Sequence, residues 1–213
     1  ADAISLVGST VRDEAGNDAI LTLPVPGASG SLSANKNIVL ETAIQEGPEI
    51  VVNELGDDDG QCYLQYCTLR QALASASVGD RIVFHSTISG NITLSSPLSV
   101  ADGITLDGEA NGHSHDIIVS GATTGDTRTV DCFELGSAST IKGLVIQGCR
   151  NAIVISGEAS SGNKIQNNII GVSSDETTPA ANDVGIIISE GSTSNIIGTD
   201  SDGNNDSFEK NII

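Results

Sequence analysis

Short clusters of apolar residues, separated by Gly, Asn, Ser and Asp, run along the chain from residue 81. Most clusters are β-branched, which predicts short strands between turns. No gap between them is sized for the crossover helices of an α/β fold, so the pattern predicts an all-β chain. The predicted strands are Ile82–Phe84, Ile92–Leu94, Ile104–Leu106, Ile117–Val119, Leu144–Ile146, Ile153–Ile155, Ile186–Ile188, Ile196–Ile197 and Ile212–Ile213.

One stretch of sequence recurs, which indicates a repeated structural unit. Residues 152–165 (AIVISGEASSGNKI) align with 185–197 (GIIISEGSTSNII), so that Ile153 matches Ile186, 33 positions further on. Residues 173–183 look like an inserted loop, and without it the period is about 22 residues, about one coil of a right-handed parallel β-helix. Stacked coils bury Ile and Val and leave polar turns outside. A β-sandwich also suits short strands, but it predicts no such recurrence.

The one predicted helix lies within residues 67–80 (CTLRQALASASVGD). Thr68 and Gln71 form a T-x-x-Q capping box, which satisfies free amide groups at a helix start. Gly79 is placed to end the helix. An apolar stripe at helical spacing is expected to cap the open end of the first coil; it consists of Leu69, Ala72, Leu73 and Ala76.

A polar stretch with a Gly-Pro break at residues 45–48 divides the chain into two parts. Residues 1–46 carry three predicted strands, which are too few to bury a sandwich core alone. Residues 47–213 carry the helix and the repeated strands. The early strands are Ala3–Val7, Ala19–Leu23 and Asn37–Leu40.

Composition excludes several partners. The chain has 28 acidic and 9 basic residues, a formal charge of −19, which argues against nucleic acid and anionic membrane surfaces. No apolar run is long enough to span a bilayer. Aromatic residues make up 2 % of the chain, so a stacking platform for sugars or single-stranded bases is nearly excluded.

Four cysteines allow three pairings. Cys62 and Cys67 flank a short loop, while Cys132 and Cys149 are separated by 17 positions, near one coil. We expect the disulfides Cys62–Cys67 and Cys132–Cys149, which imply an oxidising compartment; buried reduced thiols are the alternative. The spacing fits zinc poorly.

Oxygen-rich turns are the candidate metal sites. Asp200, Asp202 and Asp206 alternate with polar residues in a way that calcium favours, although Gly203 and the lack of a Glu at the twelfth position depart from an EF-hand. Two other oxygen clusters are Asp57–Asp59 and Asp13–Asp18. Solvated turns are the competing interpretation for all three, since a β-helix needs polar turns.

Two further polar patterns are weaker evidence for a functional site than the acidic turns. His113 and His115 could share one face of an extended segment and bind a metal, or belong to an exposed turn. Asn168, Asn195 and Asn211 each precede a pair of isoleucines, which suggests turns.

Signatures of catalysis are sparse. A lyase pairs a Lys or Arg base with calcium-bound carboxylates, and the nearby ingredients are Asp131, Lys142, Arg150 and Lys164. Glycoside hydrolysis would need two facing carboxylates, and no nucleophile elbow, phosphate-binding loop or H-E-x-x-H motif occurs.

Two segments carry a family resemblance. The motif Cys67-Thr68-Leu69-Arg70-Gln71-Ala72 resembles the C-[ST]-L-R-[EQ]-A motif of large secreted bacterial β-helix proteins, and residues 162–213 resemble their N-x-I-G-T repeats. Residues 13–42 (DEAGNDAILTLPVPGASGSLSANKNIVLET) resemble the end of a bacterial immunoglobulin-like repeat. The resemblance implies a pectin-lyase-like right-handed β-helix in a surface or secreted protein that continues beyond this chain. It also implies that Asn168, Asn195 and Asn211 could belong to an internal ladder of stacked asparagines. It implies no particular reaction.

The expected function is a non-catalytic extracellular or cell-surface β-helix, adhesin-like or a structural stalk, contacting surface or matrix components and carbohydrate. The alternative is a lyase-like carbohydrate-active enzyme, or a glycan-binding β-helix, that uses calcium to bridge acidic glycans.

Overall fold

The computed structural model describes residues 48–124 and 127–213. The strands and the Asp13–Asp18 turn predicted within residues 1–46 lie outside the described residues. Within the described ranges one short α-helix, α1, spans Leu69–Ser75, and two 3₁₀ turns span Ala110–Gly112 and Asp206–Phe208. The strands are β1 Glu49–Val52, β2 Arg81–Phe84, β3 Gly90–Leu94, β4 Leu98–Val100, β5 Thr105–Asp107, β6 Ile117–Gly121, β7 Thr123–Thr124, β8 Thr127–Arg128, β9 Phe133–Leu135, β10 Thr140–Lys142, β11 Val145–Gln147, β12 Asn151–Ser156, β13 Lys164–Gln166, β14 Ile169–Ile170, β15 Val184–Ser189 and β16 Ile196–Ile197.

Three parallel sheets hold nearly all of these strands. The first sheet has the order β1-β2-β5-β10-β13-β16, the second β3-β6-β11-β14 and the third β4-β9-β12-β15. From β2 onward the chain visits the first, second and third sheet in turn, and then repeats that cycle. Among the strands that the structure describes, β7 and β8 form the one antiparallel pair. The chain is therefore mostly β with little helix, as its apolar pattern predicts.

Strand register places like residues beside like residues. In the first sheet Ile50 pairs with Ile82, Ile82 with Leu106 and Leu106 with Ile141. The predicted match of Ile153 with Ile186 is a register pair of β12 and β15. Side chains from all three sheets join one buried cluster, and removing this apolar area from water is the main favourable contribution to folding.

Helix α1 packs its apolar side against terminal strands of two sheets. Thr68 caps its N-terminus and forms the predicted capping box with Gln71. Leu69, Ala72 and Leu73 are buried, and the helix contacts β1 and β4. The predicted end at Gly79 is wrong, because the helix stops at Ser75.

Strand boundaries differ from the sequence prediction in two ways. The clusters from Ile82 to Ile197 fall in or directly beside strands, but Ile212–Ile213 forms only an isolated bridge to Ile169. Several short strands were not predicted, among them β1, β4, β9 and β10. Within the described residues no helix is long and apolar enough to cross a membrane.

Candidate functional site

The buried carboxylate of Asp107 binds two basic side chains of the first sheet. Asp107, at the end of β5, is 2 % exposed and its Oδ2 lies 2.7 Å from Arg81 and 2.9 Å from Lys142. Burial alone raises the pKa of Asp107, but hydrogen bonds from Arg81, Lys142 and the Glu109 amide outweigh it and hold the pKa below its usual value. Asp107 is therefore a charged structural residue.

A cavity of about 250 Å³ opens beside this carboxylate. It is bordered by the turn after β5, the end of β13 and the short 3₁₀ turn Asp206–Phe208. Register pairs Lys142 with Gln166, so the two side chains occupy the same position on adjacent strands. The residues that line it include Glu109, Lys142, Gln166, Asn167, Phe208 and Glu209.

Polar contacts fix most of the cavity wall. The Asn167 side-chain amide donates to Glu109 Oε1, and Lys142 Nζ lies 3.4 Å from Glu109 Oε2. The Asn167 backbone N–H donates to the Glu209 carbonyl at 2.9 Å. Gln166 Nε2, by contrast, is buried without a hydrogen-bond partner among the described residues.

The three basic residues considered for a lyase do not converge. Lys142 binds Asp107, Arg150 binds Asp131 and Lys164 binds Asp200, the last at 2.7 Å. Asp131 is buried, whereas Arg150 and Lys164 are substantially exposed.

Ion pairing favours the charged forms of Arg150 and Lys164. The hydrogen bond to Asp131 raises the pKa of Arg150, and the hydrogen bond to Asp200 raises that of Lys164. A side chain held in its protonated form by a carboxylate is a poor general base.

The predicted metal ligands come together. One carboxylate oxygen from each of Asp200, Asp202 and Asp206 lies within 4.8 Å of the others. Asp206 Oδ1 is buried without a hydrogen-bond partner among the described residues. The Lys164 ammonium offsets part of the negative charge and, through its hydrogen bond, lowers the pKa of Asp200.

Both predicted cysteine pairs are disulfides in the structure. Cys62 is joined to Cys67 and Cys132 to Cys149, and no free cysteine is found in the described part of the chain, which includes all four. All four are fully buried.

The histidine prediction needs correction. His113 is 7 % exposed, so it does not lie on an exposed turn; its ring contacts Asp116 Oδ1 at 2.8 Å and the carbonyl of His85 at 3.2 Å. His115 contacts the carbonyl of Asn167 instead. The two imidazoles therefore serve different hydrogen bonds and do not share a ligand position.

Asparagines stack, but not as one ladder of the three predicted residues. The backbone and side-chain amides of Asn168 both donate to Asn211 Oδ1, at 2.9 and 3.2 Å. The backbone and side-chain amides of Asn163 donate in the same way to Asn195 Oδ1, at 2.9 and 3.1 Å. Sequence reasoning missed Asn163, which does not precede a pair of isoleucines.

The acidic turn Asp57–Asp59 is occupied by protein contacts. Asp57 accepts from Arg70 at 2.9 Å and from Ser95 at 2.7 Å, and Asp58 accepts from the Tyr66 hydroxyl at 2.6 Å. That bond raises the pKa of Tyr66. Asp57 thus ties the segment before α1 to the turn after β3.

Sequence reasoning also missed the cavity residues Glu109, Gln166 and Phe208. The only signal in the sequence for them was that Phe208 is the one phenylalanine set among polar residues. No protein-family model matches the chain, and no curated protein or solved structure shows significant similarity to it.

Proposed function

We propose that residues 47–213 form a non-catalytic, extracellular β-helix, adhesin-like or part of a structural stalk. The observation that carries the proposal is the repeated cycle of the chain through three parallel sheets, with Ile82, Leu106 and Ile141 paired in successive strands of the first sheet. In a stack of this kind each unit contacts only its neighbours, so length is gained without a new core, which suits a spacer or a long adhesive surface.

We propose that the stacked strands form a right-handed coil. From β2 onward, each connection from one strand of the first sheet to the next passes through the other two sheets and returns parallel. Parallel crossover connections are right-handed in nearly all proteins. Helix α1 would cover the first coil, since it packs on β1 and β4. The resemblance of Cys67-Thr68-Leu69-Arg70-Gln71-Ala72 to secreted β-helix proteins favours the same form.

Export to an oxidising compartment fits the two disulfides, which persist outside the reducing cytoplasm. The formal charge of −19 suits a hydrated surface in contact with matrix or cell-surface components rather than with nucleic acid. Carbohydrate is the partner class that we favour.

Calcium is proposed as a structural ion bound by Asp200, Asp202 and Asp206. Carboxylate oxygens are the ligands that calcium prefers, and the unpaired Asp206 Oδ1 fits this donor set. The ion would hold the loop between β16 and the end of the chain, and no reaction step is assigned to it.

The competing function is a lyase-like carbohydrate-active enzyme. The ion pairs of Lys142, Arg150 and Lys164 support the non-catalytic proposal, because each base is held by a different carboxylate.

The test is incubation of the purified chain with polygalacturonate and alginate, with calcium and with chelator. Unsaturated products are followed by absorbance and new reducing ends by a colorimetric assay. We expect no turnover. Turnover that disappears in Lys142→Ala, Arg150→Ala or Lys164→Ala would establish the lyase and reject the stalk; turnover unchanged in all three indicates a contaminating enzyme.

A further inference from the structure

We propose that the cavity beside Asp107 binds one ring of a neutral saccharide. The proposal names a site for the carbohydrate partner of the proposed function and rests on it in that respect. Its test measures binding at the side chains of this cavity, so its failure is distinguishable from turnover of a polysaccharide, which would reject the proposed function. Three observations carry the proposal of this site: an unpaired buried donor, a balance of charge in the wall, and an exposed aromatic ring at the rim.

The unpaired donor is the side-chain amide of Gln166. The residue is 9 % exposed, and its Nε2 has no hydrogen-bond partner among the described residues. Register fixes Gln166 beside Lys142 in the first sheet, so the side chain is held at the cavity wall. A buried donor left unpaired destabilises a protein, and a ligand hydroxyl that accepts from it removes that penalty.

The charges of the wall select against ionic ligands. Glu109 and Glu209 repel an acidic sugar, while the Lys142 ammonium repels a cation. Lys142 is also engaged by Asp107 and Glu109, so it has little capacity left for a ligand carboxylate. A neutral ring with several hydroxyl groups suits this wall, because hydroxyls donate to carboxylates and accept from amides.

The aromatic ring is Phe208. Of the three phenylalanines, Phe84 and Phe133 are fully buried, whereas Phe208 is 70 % exposed at the cavity rim. An aromatic face packs against the apolar C–H face of a sugar ring while the hydroxyls point elsewhere. The low aromatic content of the chain argues against a platform of several rings, and this site needs only one.

Cavity size sets the length of the ligand. Pockets that enclose drug-sized molecules measure about 300–1,000 Å³, and this one is about 250 Å³ and open to solvent. It therefore accommodates about one ring of a longer glycan, with the neighbouring rings in solvent.

Saturation-transfer NMR on the full chain tests the site. The probes are cellotriose, maltotriose, mannotriose and chitotriose, with trigalacturonate as the acidic comparator. Each is measured in calcium and in chelator, because Asp200–Asp206 and Phe208 belong to one loop. We expect at least one neutral trisaccharide to bind with a Kd of about 1 mM, and trigalacturonate to bind roughly tenfold more weakly or not at all.

Two variants separate binding from folding. Phe208→Ala removes an exposed ring, and Gln166→Leu removes the unpaired amide at similar volume. Both should melt at or above the wild-type temperature and bind roughly tenfold more weakly. Val78→Ala, an exposed apolar change outside the cavity, is the matched control and should bind normally. No binding of any neutral probe, a preference for trigalacturonate, or wild-type affinity in Phe208→Ala overturns the proposal.

Discussion

Asp131 and Arg150 form a two-point ion pair between the segments that precede β9 and β12. Arg150 Nε donates to Asp131 Oδ1 at 2.8 Å, and its Nη2 donates to Oδ2 at 2.5 Å. Each residue adjoins one half of a disulfide, since Asp131 precedes Cys132 and Arg150 follows Cys149. The same two turns are therefore joined twice, once covalently and once by charge, and Arg150 serves the scaffold.

We expect the unfolding free energy of Asp131→Asn to depend less on pH in the acid range than that of the wild type. The hydrogen bond from Arg150 holds the pKa of Asp131 below its usual value. A carboxylate with a depressed folded-state pKa stabilises fully above its unfolded pKa of about 3.9 and loses that contribution as pH falls through the folded value. The variant should lose about 1–3 kcal/mol of unfolding free energy at pH 7 and a smaller amount at pH 2, measured by urea titration.

Glu176→Gln, on an exposed turn, is the control for that experiment and should keep the wild-type profile. Parallel profiles for Asp131→Asn and the wild type, offset by the same amount at every pH, would show that the ionised carboxylate contributes nothing beyond its hydrogen bonds.

Local patterns in the sequence predicted the local structure well. The T-x-x-Q box marks the start of α1 because capping depends on residues three positions apart. Its end was missed because the Asp80 carboxylate accepts from the Ser77 amide at 2.8 Å, which favours a turn over another helical residue. Three-residue strands such as β4 and β9 carry too few apolar positions to show a period.

The candidate site could not be predicted because it depends on register. Asp107 meets Lys142 through the pairing of β5 with β10, and the Asn167–Glu109 contact joins residues 58 positions apart. Sequence spacing predicts neighbours within one turn or strand, whereas these contacts arise only when strands stack. The disulfides were predictable because few cysteines leave few pairings.

A charge placed in the apolar stripe of α1 tests whether this helix stabilises the end of the stacked strands. Leu73 is 6 % exposed, so Leu73→Asp would bury a carboxylate among apolar side chains. We expect a loss of about 3 kcal/mol or more and a clear drop in the melting temperature by circular dichroism. Ala74→Asp places the same charge on the exposed side of α1 and should melt near the wild type. Equal melting of both variants would mean that α1 contributes little to the core.

Removal of the two disulfides should have unequal effects. The Cys132–Cys149 bond closes a loop of 17 residues and the Cys62–Cys67 bond one of 5. Because loop closure restricts the unfolded chain more for the longer loop, Cys132→Ser with Cys149→Ser should cost about 3 kcal/mol. Cys62→Ser with Cys67→Ser should cost less. Unfolding in guanidinium measures both, and a larger loss for the 62–67 pair would contradict the loop-entropy argument.

Calcium should stabilise the loop that carries Asp200, Asp202 and Asp206. Three carboxylates within 4.8 Å of one another repel, and Lys164 is the one ion-pair partner that they have among the described residues. Calcium at about ten times its Kd adds about 1.4 kcal/mol, which raises the melting temperature of a chain of this size by about 3 °C. Asp206→Asn should abolish the shift, whereas Asp175→Asn, whose carboxylate already accepts from Thr177 and Thr178, should keep it. Identical melting in calcium and in chelator would reject the site, and an equal shift with magnesium would indicate general screening of the acidic surface.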